Sequence, residues 1–202
     1  MEWGMLNALY KEYRTPKHVQ KHMEKVDGVA GILAASIAEN GIKIDEDLVH
    51  WLSLVHDLMK AISFQTYDPK TFTRPPAKKD IKFWEEWREK YNGDDVAATS
   101  DILKKHGQRK LAKAILSQRF DAVISETHPL RSLEEKVVYY ADKRVAHTKI
   151  VPLTTRLEEG WRRYGGGKVK SEHVKKIELA IYMLEEEIWT AKDFMSSEKY
   201  NR

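Results

Sequence analysis

Residues 54–60, LVHDLMK, set an imidazole and a carboxylate side by side, His56 and Asp57, in an otherwise apolar run. Leu48, Leu52, Val55 and Met59 recur every three or four residues, so the run reads as the buried side of an α-helix capped by Asp45. His56 falls beside Leu52 and Met59 on that side, with Asp57 one step round. A polar pair in such a place is held by a core hydrogen bond or by a metal ion, and the seven residues alone leave both readings open.

Outward from this stretch, nearly everything keeps a helical period. Val19, His22, Val26, Ala30, Leu33 and Ile37 form the apolar side of a helix from about Thr15 to the stop at Asn40-Gly41. Residues 63–79, with Pro69, Pro75 and Pro76, cannot be one regular element and read as a long loop, of the kind that serves as a lid. A helix with Trp84, Trp87 and Tyr91 follows, broken at Asn92-Gly93. Another runs from about Asp95 to His106-Gly107, and a shorter one from Arg109 to Ser117. Ser132 with Glu135 is a capping box for a helix through Val137, Val138, Ala141, Asp142 and Val145. Pro152 stops that run, a helix with Leu157 and Trp161 comes next, and Gly165-Gly166-Gly167 reads as a hinge. The last helix, from about Ser171, carries Val174, Ile177, Ile181, Leu184 and Ile188, a core stripe or the seam of a homodimer. No strand is predicted. The class is all-α, a compact single-domain helical bundle over 1–165 with a C-terminal helix, 166–202, packed on it or in a dimer seam.

The composition narrows the chemistry. There is no cysteine among the 202 residues, which excludes disulfides, thiolate catalysis and cysteine metal sites, so a metal must be held by His and carboxylates. Thirty-five basic residues against 31 acidic give a net charge of +4, but the signs are interspersed, as in KKDIKFWEEWREK. That is a poor signature for nucleic acid and suits an anionic small molecule at least as well. No apolar run is long enough to span a membrane, and the start lacks the basic-then-apolar order of a signal peptide. No membrane partner is expected, and the cytoplasm is the expected location.

Three observations bear on the opening pair. His22 lies in line with one apolar stripe, His56-Asp57 on the buried side of the next helix, and Asp142 inside the apolar VVYYADKRV. Burying one unpaired carboxylate costs several kcal/mol, and here two must be accommodated. A divalent cation between facing helices would settle both.

HMEKVDGVAGILA, then LVHDLMK, then YYADKRV, in this order across residues 15 to 165, resembles the HD-domain superfamily of metal-dependent phosphohydrolases. In that family a first His, a His-Asp doublet and a distant Asp bind one divalent metal in a helical bundle. The resemblance therefore implies His22, His56, Asp57 and Asp142 as metal ligands. His22 is preferred to His18 because Val26, Ala30, Leu33 and Ala34 follow it at the family's spacing. It implies a metal-activated water that hydrolyses a phosphate ester of a small metabolite such as a nucleotide, with Asp57 orienting that water or taking its proton. Two imidazoles and two carboxylates suit Mn²⁺, Fe²⁺, Co²⁺, Ni²⁺ or Zn²⁺ better than Mg²⁺. Lys60, one turn past His56, and Arg144, close behind Asp142, are the expected phosphate-binding cations, with Lys143 read as a solvated surface charge.

Departures from the family pattern restrict the reading. The 5′-nucleotidase branch carries Glu where Lys60 stands. Two-metal members add histidines where this chain has Asp94, Asp95 and Arg119, which favours a single ion. The Gly-Tyr-Pro signature of cyclic-dinucleotide phosphodiesterases is missing. The remaining histidines read as structural or exposed, with His18 and His147 the two that lie nearest the site. The rival reading is a non-catalytic sensor that keeps the metal or nucleotide and signals through its C-terminal helix.

Overall fold

Asp45, Asp94 and Ser132 each turn a side-chain oxygen onto the backbone amide three residues on, and each starts a helix. These are α3 (Glu46–Val55), α5 (Asp95–Lys105) and α7 (Leu133–Asp142). The other helices are α1 (Trp3–Glu12), α2 (Lys17–Glu39), α4 (Lys78–Tyr91), α6 (Arg109–Ala114), α8 (Leu153–Tyr164) and α9 (Glu172–Asp193). A left-handed residue follows the end of several: Asn92 and Gly93 after α4, Gly107 after α5, Gly41 after α2. The computed structural model describes residues 1–67, 72, 75–165 and 169–193. Over these the chain is all-α apart from one small antiparallel pair, β1 (Val145–Ala146) with β2 (Lys149–Ile150).

Helix α2 is the axis of the fold, packed by α3, α7 and α9. Its inward residues Met23, Val26, Ala30 and Ile37 are fully buried, in one core with Leu52 and Val55 of α3, Val137 and Val138 of α7, and Ile181 and Ile188 of α9. Each large aliphatic side chain so placed contributes about 1.5–3 kcal/mol. Ile177, Ile181, Leu184 and Ile188 of α9 are thus buried within one chain, while Leu179 and Met183 face outward.

Three sequence expectations are corrected. Helix α3 stops at Val55, so His56 and Asp57 stand on the turn that follows it, and a short 3₁₀ segment, Lys60–Ser63, continues the chain. At the stop, the ring of His56 and the hydroxyl of Tyr10, brought in from α1, bond the last-turn carbonyls of Ser53 and Leu54. Helix α7 likewise ends at Asp142, short of Val145. Val145 begins the β1–β2 pair instead, where no strand was predicted. Most of the centre of the proline-rich loop, 68–71 and 73–74, and the 165/166 boundary with the rest of the glycine hinge, 166–168, lie outside the described residues.

Candidate metal centre

The end of α3, the end of α7 and the second turn of α2 meet at one point. The Thr15 hydroxyl, just ahead of α2, donates to the Leu58 carbonyl (2.9 Å) and pins α2 to the His56-Asp57 turn. His22, one helical turn in, then faces both chain ends. His22 Nε2 is 3.0 Å from Asp142 Oδ1 and 3.9 Å from Asp57 Oδ2. His56 Nε2 is 3.7 Å from both of these carboxylate oxygens. His22, His56 and Asp142 each present one ligand atom within 4.8 Å of the others. All four side chains are at most 17% exposed.

The imidazole hydrogens decide what these groups offer. A carbonyl can only accept, so His56 Nδ1 donates to Ser53 O (2.7 Å) and His22 Nδ1 donates to His147 O (2.9 Å). Each neutral ring therefore aims a bare Nε2 lone pair into the cluster. Among the described residues, His56 Nε2 is buried with no partner at hydrogen-bond distance. His22 Nε2 faces a carboxylate oxygen, lone pair against lone pair. Only a proton or a metal cation relieves that arrangement, and Nδ1 held by a carbonyl is the usual outer support of a metal-bound imidazole. Spacing agrees: ligand atoms on an ion with bonds of about 2.1 Å lie about 3.0–3.4 Å apart, inside the range seen here. The donor set fits a divalent ion.

Charge is arranged to the same end. Burial raises the Asp142 pKa, but Lys143 and the two imidazoles outweigh it and hold the carboxyl well below its usual range. Asp57 is also depressed: Lys60, His56 and His22 overcome its burial and the repulsion of Asp142. Burial pushes His56 down, yet the carboxylates of Asp57 and Asp142 leave it raised.

The cations are not all where the sequence put them. Lys60 is in place, its Nζ 3.6 Å from Asp57 Oδ1 and 3.5 Å from Asp95 Oδ2. Lys143 is no surface charge. It is 8% exposed, reaches Asp142 Oδ2 at 2.7 Å and lies over the Tyr139 ring. Arg144 points elsewhere, onto Val151 O (3.0 Å), Tyr140 Oη (2.6 Å) and Glu185 of α9. Lys143 thus stands where Arg144 was expected. Arg144→Met is expected to cost about 1–2 kcal/mol of stability through this half-exposed network, with phosphate affinity within about twofold of wild type. Thermal melts beside phosphate binding check it, and an affinity loss with unchanged stability would return Arg144 to the site.

Asp94 caps α5 and pairs with Arg119 (2.8 Å), whereas Asp95 touches Lys60. His147 contributes its carbonyl, while its ring is 72% exposed and pairs with Glu159. Its backbone is left-handed, with φ at +57°. His18, one turn before His22, packs on Phe64 and Phe72, and burial lowers its pKa.

The family model described as HD domain matches residues 19–146 of this chain. No curated protein and no solved structure matches it. No helix among the described residues is long and apolar enough to cross a membrane.

Proposed function

The chain belongs to the HD-domain family, and on that premise we propose that it is a metal-dependent phosphohydrolase acting on a phosphate ester of a small metabolite, nucleotides included. The observation that carries the reading is the buried, unpartnered Nε2 of His56 beside His22 and two carboxylates. His22, His56, Asp57 and Asp142 would hold one divalent ion, of the Mn²⁺ to Zn²⁺ series rather than Mg²⁺ because half of the donors are nitrogen. When bound, such an ion supplies a water of lowered pKa as nucleophile and a positive charge against a phosphate oxygen.

The chain's own residues do the rest. Asp57 has one oxygen toward the imidazoles and the other toward Lys60, so it can orient the attacking water or take its proton. Lys60 and Lys143 flank the centre on opposite carboxylates and would seat the phosphate oxygens.

Elemental analysis of protein purified without chelators or a histidine tag is expected to give about one transition metal per chain. The loaded protein should turn over members of a phosphate-ester panel. Lys60→Ala is expected to keep the metal and raise KM by about tenfold or more, the loss of one charge-assisted contact of about 1.5–3 kcal/mol. Metal and ligand binding without product would favour the sensor reading, and absence of metal after soaking in Mn²⁺, Ni²⁺ and Zn²⁺ would end the phosphohydrolase reading and leave the sensor in front.

A further inference from the structure

Asp95 borders the centre without belonging to it. It opens α5, and its Oδ2 lies 3.5 Å from Lys60 Nζ, the ammonium that also stands 3.6 Å from Asp57 Oδ1. One lysine therefore joins Asp95 to a carboxylate of the centre. Its neighbour Asp94 differs in kind: it accepts the Ala97 amide and pairs with Arg119, and these partners hold it ionised. Asp95 is 16% exposed, and burial with the nearby charge of Asp57 outweighs Lys60 and raises its pKa.

Hydrolysis of an alkyl phosphate releases an alcohol whose oxygen leaves poorly unless it is protonated as the P–O bond breaks. Lys60 and Lys143 lie against the carboxylates of Asp57 and Asp142, these two turn their other oxygens to the imidazoles as ligands of the centre, and Asp94 is taken up by the Ala97 amide and Arg119. The carboxyl group left beside the phosphate-binding lysine is that of Asp95, 3.5 Å from Lys60 Nζ and outside the ligand set. Building on the phosphohydrolase reading, we propose that Asp95 is the general acid of the site, delivering its proton to the leaving oxygen of a phosphomonoester. Water attacks phosphorus, the bond to the leaving oxygen breaks, and the electron pair goes to that oxygen, which takes the Asp95 proton. The proton lost by the attacking water restores the Asp95 carboxyl through solvent, so the sum is ester plus water to alcohol plus phosphate. Lys60 keeps the Asp95 carboxyl beside the phosphate.

The test uses leaving groups that differ in their need for a proton. With Mn²⁺-loaded protein, Asp95→Asn should slow an alkyl monoester such as glycerol 2-phosphate by about 100-fold or more. p-Nitrophenyl phosphate, whose leaving group departs as a stable anion, should stay within about threefold of wild type, with the Mn²⁺ content per chain unchanged. Equal losses on both esters would make Asp95 a positioning residue for Lys60 and overturn the proposal, as would no loss on either. Loss of Mn²⁺ would make it a ligand, which overturns it too. Asp95→Ser, tolerated in a first helical turn, gives the same comparison if the Asn variant folds poorly. Wild-type protein that binds no Mn²⁺ or turns over neither ester fails at the earlier step, and the proposal falls with the phosphohydrolase reading.

Discussion

Asp142→Ala is expected to strip the metal from the protein and to destabilise the metal-free fold at the same time. Asp142 touches three partners: His22 at 3.0 Å, His56 at 3.7 Å and Lys143 at 2.7 Å. Loss of an outer-shell partner alone costs about 10–100-fold in metal affinity, so loss of a ligand should exceed about 100-fold. Turnover at limiting metal falls with it. The metal-free protein suffers separately, because Lys143 is left as a buried ammonium without its carboxylate. Breaking a buried pair on one side costs about 3–5 kcal/mol, or about 6–20 °C in Tm for a chain of this size. Metal content, turnover and the melting temperature in chelator are the three readouts. Unchanged metal content would place the ligands elsewhere.

The second large effect is a reversal of pH dependence when the metal is removed. In chelator, His56 has a raised folded pKa, so its contribution is full below the ordinary value of 6.5 and is lost as pH rises through the raised one. Asp142 is lowered, so its contribution is present above 3.8 and is lost as pH falls through its depressed value. Asp57 acts in the same direction as Asp142. Metal-free stability should therefore be greatest between about pH 4 and 6.5 and decline on the alkaline side. Metal needs the unprotonated Nε2, so affinity should climb about tenfold per pH unit until His56 has lost its proton. The loaded protein should accordingly gain stability over the range in which the metal-free form loses it. Melting curves from pH 5 to 9, with chelator and with Mn²⁺, check this. Parallel curves would mean that the cluster is a plain hydrogen-bonded core.

Much of this was legible in the residues, and the reasons differ by element. The stripes of α2 and α9 were plain because amphipathic periodicity records burial directly, and Asp45, Ser132 and Asn92-Gly93 mark ends by local chemistry. The stops after Val55 and Asp142 were not, since Tyr10 and the His56 ring end α3 through contacts that no local pattern encodes. Polar groups on apolar stripes marked His22, His56, Asp57 and Asp142 as needing an explanation, and the resemblance to the HD-domain superfamily supplied their reading as one ligand set. Lys143 was misjudged because a lysine reads as surface. One signal was available: it directly follows a carboxylate that needed a buried partner. Asp95 could not be separated from Asp94 by sequence, for both head the same helix and only the fold gives one to Arg119 and the other to Lys60.

His22 is aimed by the main-chain oxygen of His147, between the two short strands. A main-chain atom is present whatever residue is installed, so exchanges of the His147 side chain leave that support intact, and Asn or Gly would also suit a φ of +57°. Inserting or deleting one residue between Val145 and Ile150 would swing the oxygen away and release His22 from its tautomer. At this corner of the centre, descent can exchange any residues that accept the left-handed backbone at 147 but must preserve their number.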